Sequence, residues 1–123
     1  MRRIKITSGD ISATGVLEDN ATADAIWDAL PISARGNTWG DEIYFGIPVH
    51  LEEAEGADDV TEMGALAYWP PGNAFCIFFG RTPASRGDEI RAASAVNRFG
   101  KIEGDPTVFK QVAGGATIVI EKA

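Results

Sequence analysis

Residues able to do chemistry are few in this 123-residue chain, which holds one histidine and one cysteine. His50 stands near Glu52 and Glu53, but a lone imidazole lacks the second histidine or the cysteine pair of a strong metal site, so no metal is expected. Cys76 lies between Phe75 and Ile77, surroundings that suit a buried, inert thiol better than a nucleophile. Asp41 and Glu42 are adjacent, so on a strand they point to opposite faces and form no carboxylate pair for acid–base work. Gly100 and Gly104 bracket no Lys-Ser or Lys-Thr and make no phosphate loop. None of these patterns implies a cofactor, and no catalytic residue emerges from them.

Aromatic residues carry more promise. The stretch YWPPGNAFCIFFG, residues 68–80, sets two aromatics and a rigid Pro-Pro-Gly corner before an unbroken apolar run. Tyr68 and Trp69, beside that corner, are candidates to line a groove together with Trp39, Tyr44 and Phe79. Phe75 and Phe78 suit a barrel interior equally well. Asn37, Thr38 and Asn97 fall beside strand ends, where a side-chain amide or hydroxyl either orients a ligand or caps a turn.

The elements that must position these residues are mostly strands. RRIKIT alternates with period two, SGD turns the chain and ISATGVLE returns it, a hairpin. In NATADAIWDALP, Ala23, Ile26, Trp27 and Leu30 recur at helical spacing, with Asn20 or Thr22 as cap and Pro31 as stop, so one short helix packs on the sheet with Trp27 in the core. Period two resumes in NTWGDEIYFGIPVHL, with Ile43, Phe45, Ile47 and Val49 on one face and Tyr44 on the other. MGALAYW and AFCIFFG are further strands, the second apolar throughout and therefore covered on both faces. RTPASRGDEIRAAS reads as a surface loop and AVNRFGKI as a strand. Asp105 as cap, Pro106 at the first helical position and Gly114–Gly115 as stop predict a second short helix before a closing strand, ATIVIE. The expected fold is mostly β, a closed barrel of about eight strands with two short α-helices, because closure removes exposed edges.

Composition narrows the partners. One domain spanning 1–123 buries roughly two-thirds of its unfolded surface, which suffices for one core without disulfides or metal. The formal net charge of −7 repels phosphate backbones, so nucleic acid is not an expected partner. No apolar run approaches the roughly 18 residues of a membrane span, so no membrane partner is expected either. The start, MRRIKITSGD, does not read as a signal peptide, and a single cysteine permits no internal disulfide. A cytoplasmic location is the simplest expectation. The acidic run EEAEGADDVTE, residues 52–62, lacks the ligand spacing of a calcium loop and reads as a solvated loop.

The order of elements, with VNRFGKIEGDPTVFKQV leading into the closing ATIVIE, resembles the cyclophilin barrel. NTWGDEIYF, GALAYWPPGNAFCIFFGRTP and SAVNRFGKI are similar to stretches of the small prokaryotic cyclophilin-like domain family of unassigned function. The resemblance covers nearly the whole chain. Cyclophilins are peptidyl-prolyl isomerases in which an arginine donates to the proline nitrogen, easing a barrier of roughly 18–20 kcal/mol that arises from amide resonance. Matching their Arg-Ile-Ile-Pro to FGIP places Phe45 at the arginine position and Tyr44 at the preceding histidine. Val96 falls at a further groove histidine. The resemblance therefore implies the fold and a groove with Phe75, Phe78 or Phe79 in it, but not the catalytic donor.

Two functions follow from different classes. One is a non-catalytic binding module that holds a short, proline-containing peptide or a small molecule through Trp39, Tyr44, Phe45, Tyr68, Trp69, Phe79 and Asn97. The other is a low-efficiency prolyl isomerase using the same groove. A homodimer that covers the aromatic patch is a third arrangement.

Overall fold

The computed structural model describes residues 1–123. Ten strands form the body of the fold. The first two, β1 (Arg3–Ser8) and β2 (Ile11–Leu17), pair around a turn at Gly9, whose φ of +58° suits glycine. Helix α1 (Ala21–Ala29) follows, and of the two candidate caps it uses Asn20, whose side-chain oxygen accepts the Ala23 amide at 2.8 Å. Ala23 and Ile26 face the core. Trp27 is half-buried against it, with Arg2 and Lys122 lying 5.6 and 4.8 Å from its ring centroid, so the predicted core tryptophan sits at a charged margin.

The chain continues through β3 (Ile32–Arg35), β4 (Asn37–Thr38), β5 (Glu42–Gly46), β6 (Asp58–Thr61), β7 (Ala65–Trp69) and β8 (Ala74–Phe78). The long β9 (Ile90–Glu103) and the closing β10 (Thr117–Lys122) complete the set. The sheet order is β3-β10-β1-β2-β9-β7-β8-β5-β4, with β6 attached to β9. Its two edges, β3 and β4, are consecutive in sequence and separated by Gly36 alone. The hydrogen-bonded ladder does not close, and the chain itself carries the wall across the seam. Gly36 anchors the crossing through its N–H to Ala116 O (2.9 Å) and by accepting the Gly115 N–H (2.8 Å). No helix is long and apolar enough to cross a membrane.

The mostly β fold is as expected, with three local differences. The second helix, Pro106–Gln111, is 3-10, capped by Asp105 through the Thr107 amide at 2.9 Å. Six residues starting at a proline complete 3-10 hydrogen bonds within a length that gives little α-helix. The acidic run is a loop only as far as Ala57, since Asp58–Thr61 pair with β9 as β6. The segment IRAAS, read as loop, is the start of β9. Its small residues weaken the period-two signal on which a strand assignment depends.

There are two apolar clusters, one on each face of the wall. Inside the barrel, Phe45 stacks on Phe75 with centroids 5.2 Å apart, and Phe75 meets Phe99 edge-on at 5.1 Å. Outside it, Ala67, Cys76 and Phe78 are covered by Ile90, Ala92 and Val96 of β9. Strand β8 is buried at all five positions for this reason. A bulge makes β9 serve both clusters: Leu66 pairs with Gly100 and Ala67 with Arg98, leaving Phe99 as the extra residue. Before it Ile90, Ala92 and Val96 point outward, and after it Ile102 points inward, because one added residue inverts a period-two pattern.

Candidate functional site

On the outer face, where the second cluster reaches solvent, a half-open cleft of about 230 Å³ opens between β5 and β9. Trp39 enters it from the turn before β5, a turn held by its own N–H on Glu42 O at 2.9 Å. Glu42 and Tyr44 share the outward face of β5, two residues apart and paired across the ladder with Phe78 and Cys76. Trp69 comes from the end of β7, and Ala92, Ala93 and Val96 of β9 form the opposite wall. The small alanines leave the space that larger β-branched residues would fill.

Trp69 is the most firmly positioned of the aromatics. Its indole Nε1–H donates to Ser94 Oγ at 2.7 Å, which ties β7 to β9. The ring also lies over the Pro70–Gly72 turn so closely that a Cβ on Gly72 would stand 2.8 Å from it. The Pro-Pro-Gly corner thus supports one face of the tryptophan, and Asn73, at φ +46°, returns the chain into β8.

Glu42 dominates the electrostatics. It is 5% exposed, and its Oε1 has no hydrogen-bond partner. Burial pushes its carboxyl up to about 7, offset in part by the neighbouring Cys76 thiol. Burial, and then the nearby Glu42 charge, raise the Cys76 thiol well above its usual range, as fits an inert cysteine. Asp41 faces away, against Gly80 and 3.7 Å from Lys110 Nζ. A larger depression of about 750 Å³ beside β2 is lined by several charges, among them the pairs Arg98–Glu18 at 2.9 Å and Glu103–Arg3 at 2.9 Å.

Of the residues singled out from sequence, the cleft gathers Trp39, Tyr44 and Trp69. Phe45 and Phe79 lie inside the barrel, the latter 6.1 Å from Phe109. Phe45 belongs to the inward set of β5, so the position matched to the isomerase arginine does not face the cleft. Phe75 is likewise internal and Phe78 is buried in the outer cluster, so none of the three candidate phenylalanines lines the cleft.

Tyr68 is fully buried: its hydroxyl donates to Val49 O at 2.6 Å and accepts the Leu51 N–H at 3.2 Å. Asn97 is buried too, accepting from the Ala54 N–H at 2.8 Å and donating to Glu52 O at 2.9 Å. Both secure the 47–57 loop, where side-chain groups satisfy backbone that has no ladder partner. Asn37 donates to Tyr44 O at 3.2 Å, bracing β5 from β4.

Sequence reasoning weighed Glu42 only as a partner for Asp41 and set it aside, and it did not single out the Ala92–Ala93 wall. The signal for Glu42 was its phase: it shares parity with Tyr44, so an outward Tyr44 requires an outward Glu42. No three His, Cys, Asp or Glu side chains are grouped to hold a metal ion.

Residues 2–121 match the family model described as cyclophilin-like. Among solved structures, the hypothetical protein AF2241 from Archaeoglobus fulgidus is 44% identical, with a TM-score of 0.84, over 99% of this chain and 95% of that one. The structure of McbB in complex with tryptophan shares the fold at 13% identity and a TM-score of 0.70, covering 96% of this chain and 44% of that one. Nothing among curated proteins matches. The match across residues 2–121, joined to the wall and helices described above, shows that the chain belongs to the cyclophilin-like family.

Proposed function

We propose that this domain binds a small organic molecule, or one side chain of a short peptide, in the outer-face cleft without chemical turnover. The observation that carries this reading is the convergence of Trp39, Tyr44 and Trp69 around the buried Glu42 in one concave site. Ligand sites are commonly apolar clefts with few convergent polar groups, and drug-sized ligands need about 300–1,000 Å³. A cleft of about 230 Å³ suits something smaller, such as a single ring. Proline rings pack well on tryptophan and tyrosine, so a proline-containing peptide stays within the class of ligand.

Turnover of such a peptide has less support. Rotating the amide needs a donor to the proline nitrogen, and the lining contains no arginine, lysine or histidine.

Amide spectra of the 15N-labelled chain, titrated with single-ring fragments and with an Ala-Pro peptide, test the reading. Shifts confined to Tyr44, Ala93, Val96 and the Trp69 indole, lost in Trp69→Ala, are the expected result. Absence of shifts there for every probe overturns it. Protein-driven exchange between the cis and trans signals of the peptide overturns the non-catalytic part.

A further inference from the structure

Glu42 sets a chemical requirement on whatever enters the cleft. Its Oε1 is unpartnered while the residue is 95% buried, and a buried acceptor left without a donor is costly to the fold. Nothing in the lining can supply that donor as a cation. The indole N–H of Trp69 is already given to Ser94. The Trp39 indole N–H and the Tyr44 hydroxyl, the neutral donors left in the lining, do not reach Oε1, and the rest is aromatic ring and the alkyl groups of Ala92, Ala93 and Val96. Ring faces carry negative quadrupole density and attract cations, most strongly where water is excluded. A carboxylate oxygen beside aromatic faces is therefore a site for positive charge that also brings an N–H.

Building on the pocket reading above, we propose that the cleft selects a primary or secondary organic ammonium, whose N–H donates to the Glu42 carboxylate and whose body packs against Trp39, Tyr44 and Trp69. The charge of the whole chain, −7, draws cations toward it. A neutral alcohol of the same shape forfeits the charge-assisted hydrogen bond, and a quaternary ammonium forfeits the N–H.

The proposal has a defined pH signature. The titratable groups around Glu42 are the Cys76 thiol from β8 and the Tyr44 phenol on its own strand, and β9 contributes only Ala92, Ala93 and Val96. With the free carboxyl at about 7, an ammonium must displace its proton below that pH. Affinity therefore rises as pH increases from 6 to 8, by about tenfold for a single linked proton. If the protonated acid were instead donating to a carbonyl ligand, affinity would fall over the same range.

The experiment titrates the full chain with benzylamine, benzyl alcohol and benzyltrimethylammonium at pH 6, 7 and 8. Tryptophan fluorescence reports affinity and amide shifts report location. Benzylamine is expected to bind at least about tenfold more tightly than either of the others at pH 8. Glu42→Gln, with its fold verified from its amide spectrum, removes the pH dependence and the preference for benzylamine. Equal binding of benzylamine and benzyl alcohol within the cleft overturns this inference and leaves the pocket reading standing. So does equal or tighter binding of the quaternary ammonium, or affinity that falls from pH 6 to 8. Absence of all three probes from the cleft overturns this inference, and absence of the Ala-Pro peptide as well overturns both.

Discussion

At the scale of single residues, Glu42 holds a carboxyl raised to about 7 against an ordinary value of 4.5. The folded state therefore keeps a proton that the unfolded chain releases. Its contribution is fully present below about pH 4.5 and is lost as pH rises through 7. A shift of that size corresponds to about 3 kcal/mol at 1.36 kcal/mol per pH unit. Glu42→Gln stays neutral throughout, so the stability difference between variant and parent should widen by about that amount from pH 4.5 to 8. Urea unfolding at both pH values measures it, and a constant difference would show that the carboxyl titrates normally. Gly72→Ala addresses the neighbouring ring: the added methyl meets the Trp69 indole at 2.8 Å and must displace it. Loss of the Trp69–Ser94 hydrogen bond, seen as a moved indole N–H signal, and weaker binding in the cleft are expected.

At the scale of elements, the 47–57 loop shows why polar and aromatic residues near a groove need not line it. Tyr68 and Asn97 satisfy its backbone from below with four hydrogen bonds, two each. Asn97→Ala leaves the Ala54 N–H and the Glu52 carbonyl without their partners and should cost about 1–3 kcal/mol. Faster hydrogen exchange at Ala54, with little change at the Trp69 indole, would separate this loop role from a role in the cleft. The bulge at Phe99 acts on the same scale, since it lets one strand cover the outer cluster with its first half and the barrel interior with its second.

At the scale of the whole molecule, wall continuity depends on close backbone contact at Gly100. A Cβ there would stand 2.6 Å from the Val16 carbonyl oxygen, an atom of the main chain that cannot rotate aside. Gly100→Ala should force β2 away from β9 and cost about 1–3 kcal/mol or more, as overpacking does. A lowered urea midpoint at unchanged slope is the expected readout. Gly9→Ala places its methyl in open space and tests only the turn's backbone preference, so it should cost less.

Much of this was written locally in the chain. Asn20 and Pro31 bound α1, the apolar run of β8 announced a strand covered on both sides, and the alternation of Ile43, Phe45, Ile47 and Val49 put those residues inside. Those features arise from propensity and period, which depend on near neighbours in sequence. The cleft does not. Glu42 and Ala92 are fifty residues apart in number, and their meeting depends on the bulge in β9 and on how β9 lies over the outer face of β5 and β8. The carboxyl of Glu42 takes its unusual character from that covering and from nothing in its own strand, because desolvation is a property of the space around a group. Sequence determined the family and most of the strands. Tertiary structure alone decided which face of the wall holds the cleft, and that an acid stands in it.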